Sequence, residues 1–444
     1  MKSPIYDFLR EYSEKNKLRL HMPGHKGVGA LGIEAFDLTE VDGADVLYRD
    51  NGIILESRSN ASKLFGTAET LYSTEGSSLS IRAMLFLVKK YALSMGKTAR
   101  VLAGRNAHRS FMSAVALSDI EVSWLYPSDE SLISCNVTAS DVECAIKEMS
   151  EPPTALYLTA PDYLGNIPDI RSIAEVCRGH DVLLIVDNAH GAYLKFLPND
   201  IHPISLGACM CADSAHKTLP ALTGSGYLHI SSSAPKIFRE WASEAMSLFA
   251  STSPSYLILA SLDALNGYLA DGYSERLSEF AKKSTAARER LIARGLTVIG
   301  DEPLKLTVSP KSVGYTGYEI AAILSEHGIE VEFADSDYVT MMMTPEQPDA
   351  IERLTDILVS IEHRTPITKR APRITRCERV LGIREALFAP SEELPSRECV
   401  GRVLASSHLS CPPAIPIAIP GERLSEEAVS AMLYYGIDTC KIIK

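Results

Sequence analysis

The chain lacks an excess of positive charge. Among its 444 residues, 44 lysines and arginines face 56 aspartates and glutamates, a formal net charge of -12. Nucleic acid and anionic membrane surfaces call for a basic face, so neither is expected as a partner. The chain also lacks a long apolar run. The longest strand-like one, residues 182–186, falls far short of the roughly 20 residues a membrane helix requires. Residues 1–17 are mixed and charged, without the apolar stretch and small-residue cleavage site of a secretion signal. Nine cysteines are scattered with no paired C-x-x-C spacing. Cys209 and Cys211, one residue apart in a strand-like stretch, have no second ligand pair nearby. They read as structural thiols, no metal site is expected, and a reducing cytoplasm is the expected location. There is no internal repeat and no low-complexity segment.

What is present is an ordinary globular balance, 46% hydrophobic and 23% charged, over a length suited to two or three domains. Residues 4–17 read as a helix and 18–29 as a strand-and-turn segment. From about 60 to 230, helix-length segments alternate with short apolar strands at 98–103, 155–159, 183–186, 209–212 and 227–230, and a helix is expected over 77–94. That alternation predicts an α/β fold with a mostly parallel sheet. Apolar helical patterns at 256–269 and 275–293 lead out of this block. A smaller α/β domain is expected over about 295–365, a basic, proline-bearing linker over 366–375, and a turn-rich closing module after it. The resulting division is an N-terminal arm (1–55), a large domain (56–255), connecting helices with the small domain (256–370), and a C-terminal module (371–444).

Two segments in the middle carry chemistry. Asp187-Asn188-Ala189-His190 follows an apolar strand directly, and Asp213-Ser214-Ala215-His216-Lys217 follows the next one. In open α/β sheets, ligands bind at the carboxyl ends of strands. An acidic group and a lysine at neighbouring strand ends are what pyridoxal phosphate needs: Asp187 would pair with the pyridinium nitrogen, and Lys217 would form the imine to the aldehyde carbon. Thr74-Glu75-Gly76-Ser77-Ser78, ahead of the expected helix, supplies a glycine turn, hydroxyls and free amides for a phosphate. His21-Met-Pro-Gly-His25-Lys26 is a rival cluster. Its proline and glycine break any helix that would align the histidines, and Lys26 has no strand-end aspartate beside it. His229, inside a strand-like run, reads as a satisfied buried histidine.

The sequence resembles the ornithine/lysine/arginine decarboxylase family of fold-type-I pyridoxal-phosphate enzymes, in its shorter form. The stretches that carry the resemblance are LHMPGHKG (20–27), EVDGADVLY (40–48), STEGSS (73–78), RNAHRS (105–110), DNAHGAY (187–193), SAHKTLPALTGSGYLHI (214–230), STSPSYLILASLD (251–263) and PPAIPIAIPGE (412–422). It implies a fold-type-I large domain, a smaller α/β domain and a C-terminal decarboxylase module. It also implies that Lys217 holds the cofactor as a Schiff base, that Asp187 meets the ring nitrogen, and that His108 stacks on the ring. Gly76, Ser77 and Ser78 would cradle the phosphate, with Ser214 and His216 flanking it. Thr252 and Ser253 would reach a phosphate across a dimer interface, so a homodimer or higher homo-oligomer with shared sites is implied.

The implied reaction is decarboxylation of a basic amino acid, arginine favoured over lysine and ornithine. Lys217 or His190 would return the proton to the α-carbon. For the distal cation, Glu422 is the first candidate and Asp162 the second, with Tyr163 bounding the pocket. Departures from the family pattern bear on the substrate. Thr74-Glu75-Gly76 stands where valine-asparagine-glycine is frequent, Ala160-Pro161-Asp162-Tyr163 replaces serine-proline-threonine-tyrosine, Asn188 replaces glutamate, and Ala414 replaces glycine. Two other readings of the same scaffold are an aminotransferase or lyase and a non-catalytic cofactor-binding regulator. A keto-acid product would mark the first, and cofactor binding without turnover the second.

Overall fold

The computed structural model describes every residue except 16, 127–134, 373–375, 408–409 and 412–414, so Ala414 and part of the expected linker lie outside the described residues. The chain forms two compact units, each assembled from two separate stretches. The first unit is Met1–Lys97 with Leu183–Arg276, and the second is Thr98–Val182 with Leu277–Lys444. Seven strands carry the labels β1 to β7 in chain order: Glu69–Ser73, Arg100–Gly104, Glu121–Leu125, Ala155–Thr159, Leu183–Asp187, Met210–Asp213 and Gly226–Ile230.

In the first unit, β5 and β6 are parallel, with Asp187 opposite Ala212. Strand β7 runs antiparallel to β6 and to β1, pairing Asp213 with Tyr227 and Ser73 with Gly226. The carboxyl ends of β1, β5 and β6 and the amino end of β7 therefore meet at one edge. Strands β6 and β7 are buried along their whole length, which explains their continuous apolar character without polar alternation. The helix Gly76–Ser94 packs on β6 and β7 and against the helix Lys236–Phe249. It buries Leu79, Ile81, Met84, Leu85, Leu87 and Val88, more than a single stripe, as a helix covered on several sides must. Residues 18–29 correct an expectation: they contain turns and bends and no strand. Pro23 lacks a ladder donor, and Lys26 and Gly27 take positive φ values of 55° and 85°, which no strand accommodates.

In the second unit, β2 lies between β3 and β4 and is parallel to both. Among the described pairings of β1 to β7, β2 with β3, β2 with β4 and β5 with β6 are parallel, giving the expected α/β class. A four-stranded antiparallel sheet follows, ordered Phe333–Ala334, Val339–Met342, Lys305–Ser309, Thr297–Ile299. The helices Gly317–Glu326 and Ala350–Ser360 belong with it. At the end of the chain, Ser391–Pro395 pairs with Thr439–Ile443. There Leu404, Ile417, Leu424, Met432 and Ile442 share one buried cluster.

Candidate active site

The edge where β1, β5, β6 and β7 converge carries most of the candidate residues. After β1, the Ser73 hydroxyl donates to the Gly76 carbonyl at 2.7 Å and accepts from the Glu75 amide at 3.1 Å, closing a tight turn into the helix Gly76–Ser94. Gly76 sits at φ 66°. Gly226 must also be glycine, because a Cβ there would stand 2.8 Å from the Gly76 carbonyl carbon and 3.0 Å from the Ser77 amide nitrogen. This close approach lets the phosphate-type loop pack directly on β7. Glu75, at the N-cap, makes no side-chain capping bond to the first-turn amides. Uncapped amides at a helix start, beside the Ser77 and Ser78 hydroxyls, suit an anion. Ser214, following β6, donates to the Ser77 hydroxyl at 2.8 Å.

Asp187 ends β5, is 2% exposed, and accepts the Ala189 amide at 3.2 Å. Lys217 lies in the short helix Ala215–Thr218 after β6. Its Nζ is 3.2 Å from His190 Nε2, although 27 positions separate the two. His216, next to it, holds the Ser225 carbonyl 2.7 Å from Nδ1. Burial moves the His216 imidazole below its ordinary pKa; the Ser225 carbonyl opposes this and the Lys217 cation reinforces it. A buried carboxylate, a half-buried lysine and an uncapped helix start match the ring nitrogen, aldehyde and phosphate of pyridoxal phosphate, so the residues fit that group.

Thr252 and Ser253 are exposed in the turn before the helix Tyr256–Ala270. The amide of neighbouring Ser251 donates to Glu75 Oε1 at 2.7 Å, which ties this turn to the phosphate-type loop.

Behind the edge lies a group that linear reading missed. The Asp213 carboxylate accepts Asn188 Nδ2 at 2.8 Å. His202 Nε2 and His229 Nε2 lie 3.0 and 3.4 Å from its Oδ2. All four residues are fully buried. Their charge pairing holds the Asp213 carboxyl below the ordinary range against the effect of burial. His229 also has a partner at Nδ1, the Thr70 hydroxyl at 2.8 Å, but its buried Nε2 makes no hydrogen bond among the described residues, so the histidine is satisfied at one nitrogen and not at both as expected. No spacing signal links positions 188, 202, 213 and 229.

The second unit holds the remaining candidates. His108 caps the helix Arg109–Ser118, its Nδ1 accepting the Ser110 amide at 3.2 Å. Asp162 is buried, and its two carboxylate oxygens accept the Leu164 amide, the Asn166 amide and Asn166 Nδ2 at 2.7–2.9 Å. The Tyr163 hydroxyl donates to Glu332 at 3.0 Å. Glu422 is 4% exposed, accepts the Ile419 amide at 2.8 Å, and faces Arg105 at 3.4 Å. Burial raises the Glu422 carboxyl pKa, and the Arg105 guanidinium opposes that rise. Arg105 carried no assigned role in the sequence beyond its place in the RNAHRS stretch.

The fold is that of the fold-type-I enzymes. A lysine decarboxylase of Francisella novicida, LdcF, superposes with a TM-score of 0.79 at 19% identity, over 100% of this chain and 81% of that one. The family description "Orn/Lys/Arg decarboxylase, major domain" matches residues 3–299. Arginine decarboxylases of Halalkalibacterium halodurans and Bacillus subtilis are 30% and 31% identical to the chain. Each alignment spans 96% of this chain, with 91% and 92% of the respective relative. The chain belongs to the Orn/Lys/Arg decarboxylase family, and by that membership it is an amino acid decarboxylase. Among the described residues, no helix is long and apolar enough to cross a membrane.

Proposed function

We propose that the chain decarboxylates arginine with pyridoxal phosphate bound through Lys217. The observation that carries this reading is the 3.2 Å approach of Lys217 Nζ to His190 Nε2 at the strand edge that also holds Asp187. Arginine is favoured because the two relatives described above bear that name.

Asp187 would meet the ring nitrogen of the cofactor, and Lys217 its aldehyde carbon. Gly76, Ser77, Ser78, Ser214 and His216 would surround the phosphate, with Thr252 and Ser253 contributed across a homodimer. His108 is proposed as the ring-stacking residue on the sequence resemblance alone. When bound, this cofactor withdraws the electron pair left as the α-carboxylate departs. Asp187, as a buried anion, favours a protonated ring nitrogen and so strengthens that withdrawal. His190 holds or receives a proton at Nε2 within reach of Lys217 Nζ, and one of these two groups returns it to the α-carbon.

For the distal cation, Glu422 is preferred to Asp162. Both Asp162 oxygens already serve its own turn. Among the described residues, the Glu422 contacts fall on Oε2 alone.

Homodimerisation is supported by the N-terminal arm, where Leu18, Leu20, Val28 and Leu31 are 79% to 85% exposed. Several strongly exposed large apolar side chains close together in the chain suit an association surface. The eight described cysteines are free thiols, which suits the proposed cytoplasmic location.

The test records the visible spectrum of the purified protein and then CO2 release with arginine, lysine and ornithine supplied separately. A visible cofactor band and CO2 from arginine are expected. CO2 from lysine or ornithine alone overturns the substrate, and a band with no CO2 overturns the reaction.

A further inference from the structure

The buried group behind β6 contains more metal-binding chemistry than a carboxylate needs for its own hydrogen bonds. His202 Nε2, Cys211 Sγ and an Asp213 oxygen all lie within 4.8 Å of one another, and all three residues are fully buried. The pairwise separations are 3.0 Å from Nε2 to Oδ2, 3.5 Å from Sγ to Oδ1, and 3.8 Å from Sγ to Nε2. Zinc takes nitrogen and oxygen donors at about 2.0–2.2 Å and thiolate at about 2.3 Å in a tetrahedral shell, which sets its donors roughly 3–4 Å apart. Each of the other two donors already stands at that spacing from an Asp213 oxygen, His202 from Oδ2 and Cys211 from Oδ1.

The surroundings match a metal site in two further respects. A metal-bound histidine commonly has its second ring nitrogen engaged by an outer partner that sets the tautomer. Thr70 does this for His229, 2.8 Å from Nδ1, leaving Nε2 directed toward Asp213 at 3.4 Å. Asn188 Nδ2 orients the Asp213 carboxylate in the same way. Charge also balances: a divalent cation with one thiolate, one carboxylate and neutral imidazoles sums to zero, which a site closed to solvent strongly favours. Without a cation, two imidazole nitrogens converge on the single oxygen Oδ2.

We propose that His202, Cys211 and Asp213 bind one zinc-class divalent ion that has a structural role, with His229 Nε2, which is 3.4 Å from Asp213 Oδ2 but outside the three-donor group, moving in as fourth donor. The site is separate from Lys217 and His190 and does not depend on the reaction proposed above. It revises the sequence reading of Cys211 as a plain structural thiol with no metal expected. Because Ser214 follows Asp213 directly, such an ion would anchor the start of the segment that carries Lys217.

The experiment measures metal by plasma mass spectrometry in the intact enzyme, expressed with zinc in the medium and purified without chelator. About one zinc per chain is expected. Cys211→Ala and His202→Ala should each lower it about tenfold or more, while Cys209→Ala leaves it unchanged. Wild-type zinc below about a tenth of an equivalent overturns the proposal and leaves a hydrogen-bonded carboxylate cluster. Equal zinc in wild type and Cys211→Ala overturns it too, because the metal is then elsewhere. If the variants fail to fold, zinc-edge X-ray absorption of the wild type decides. A first shell containing a single sulfur supports the site, and a shell of nitrogen and oxygen alone refutes it.

Discussion

Asn188 Nδ2 donates to Asp213 Oδ1 across 2.8 Å, and both side chains are fully buried. This pair explains a departure visible in the sequence, where asparagine stands in place of the glutamate usual in the resembling family. An acid at 188 would bring a second buried carboxylate against Asp213, whereas an amide supplies a neutral donor. Asn188→Asp should therefore be worse than Asn188→Ala. The alanine variant should lose about 1–3 kcal/mol for an acceptor left without its donor, and the aspartate variant roughly 3–5 kcal/mol for an uncompensated buried charge. Thermal unfolding of the two side by side reads the order. An aspartate variant as stable as the alanine one would sink this account.

His190 Nε2 lies 3.2 Å from the Lys217 amine. If it handles the proton, His190→Ala should lower kcat by about 10²–10⁴-fold while the visible band of bound cofactor persists. Lys217→Ala should lose both the normal band and turnover. Spectra and single-turnover rates of the two variants separate the roles. A Lys217→Ala protein with an unchanged visible band would show that another lysine holds the cofactor.

Asp263 accepts the Ile5 amide at 2.7 Å and the Tyr6 amide at 3.0 Å, so it caps the helix Pro4–Glu14 from a distant part of the chain. Burial raises its carboxyl pKa to about 6 despite these two amides. A folded-state pKa above the unfolded value contributes stability at low pH, and that contribution is lost as pH rises through the folded pKa. Between pH about 4 and about 6, the wild type should lose up to roughly 3 kcal/mol relative to Asp263→Asn. Melting curves of both proteins across this window test the sign. A difference that grows with pH in favour of the wild type would refute it.

Lys305 and Glu302 form a fully buried ion pair at 2.9 Å, and the same ammonium donates to the Asp162 carbonyl at 3.0 Å. Lys305→Met strands the Glu302 charge and should cost about 3–5 kcal/mol, while the double variant with Glu302→Leu should recover most of it. The double-variant melting temperature is the informative number. If it falls as low as that of Lys305→Met, the loss comes from the Asp162 contact and not from the stranded carboxylate.

Local signals were legible where neighbours along the chain govern the outcome. The run 155–159 reads as a strand from its own composition and is one. The helix expected from residue 77 begins at Gly76, where a glycine turn precedes the apolar run. Residues 18–29 misled because the apolar positions at Leu18 and Leu20 resemble a strand, whereas Pro23 and the positive φ of Lys26 and Gly27 turn the chain. The candidate residues were legible to the extent that each follows its own strand. What joins them was not, because proximity across strands depends on sheet order.

By itself the sequence determined the α/β class, the short buried strands, and the family to which the chain belongs. Composition, periodicity and motif are properties of adjacent residues. The tertiary structure alone decided that each compact unit draws on two separate stretches of chain. It alone placed Lys217 against His190 and gathered Asn188, His202, Cys211, Asp213 and His229 behind one edge. These contacts arise from the register of β5, β6 and β7 and the crossovers between them. A side chain's long-range partners are set by which strands lie next to each other, and no local sequence pattern specifies that.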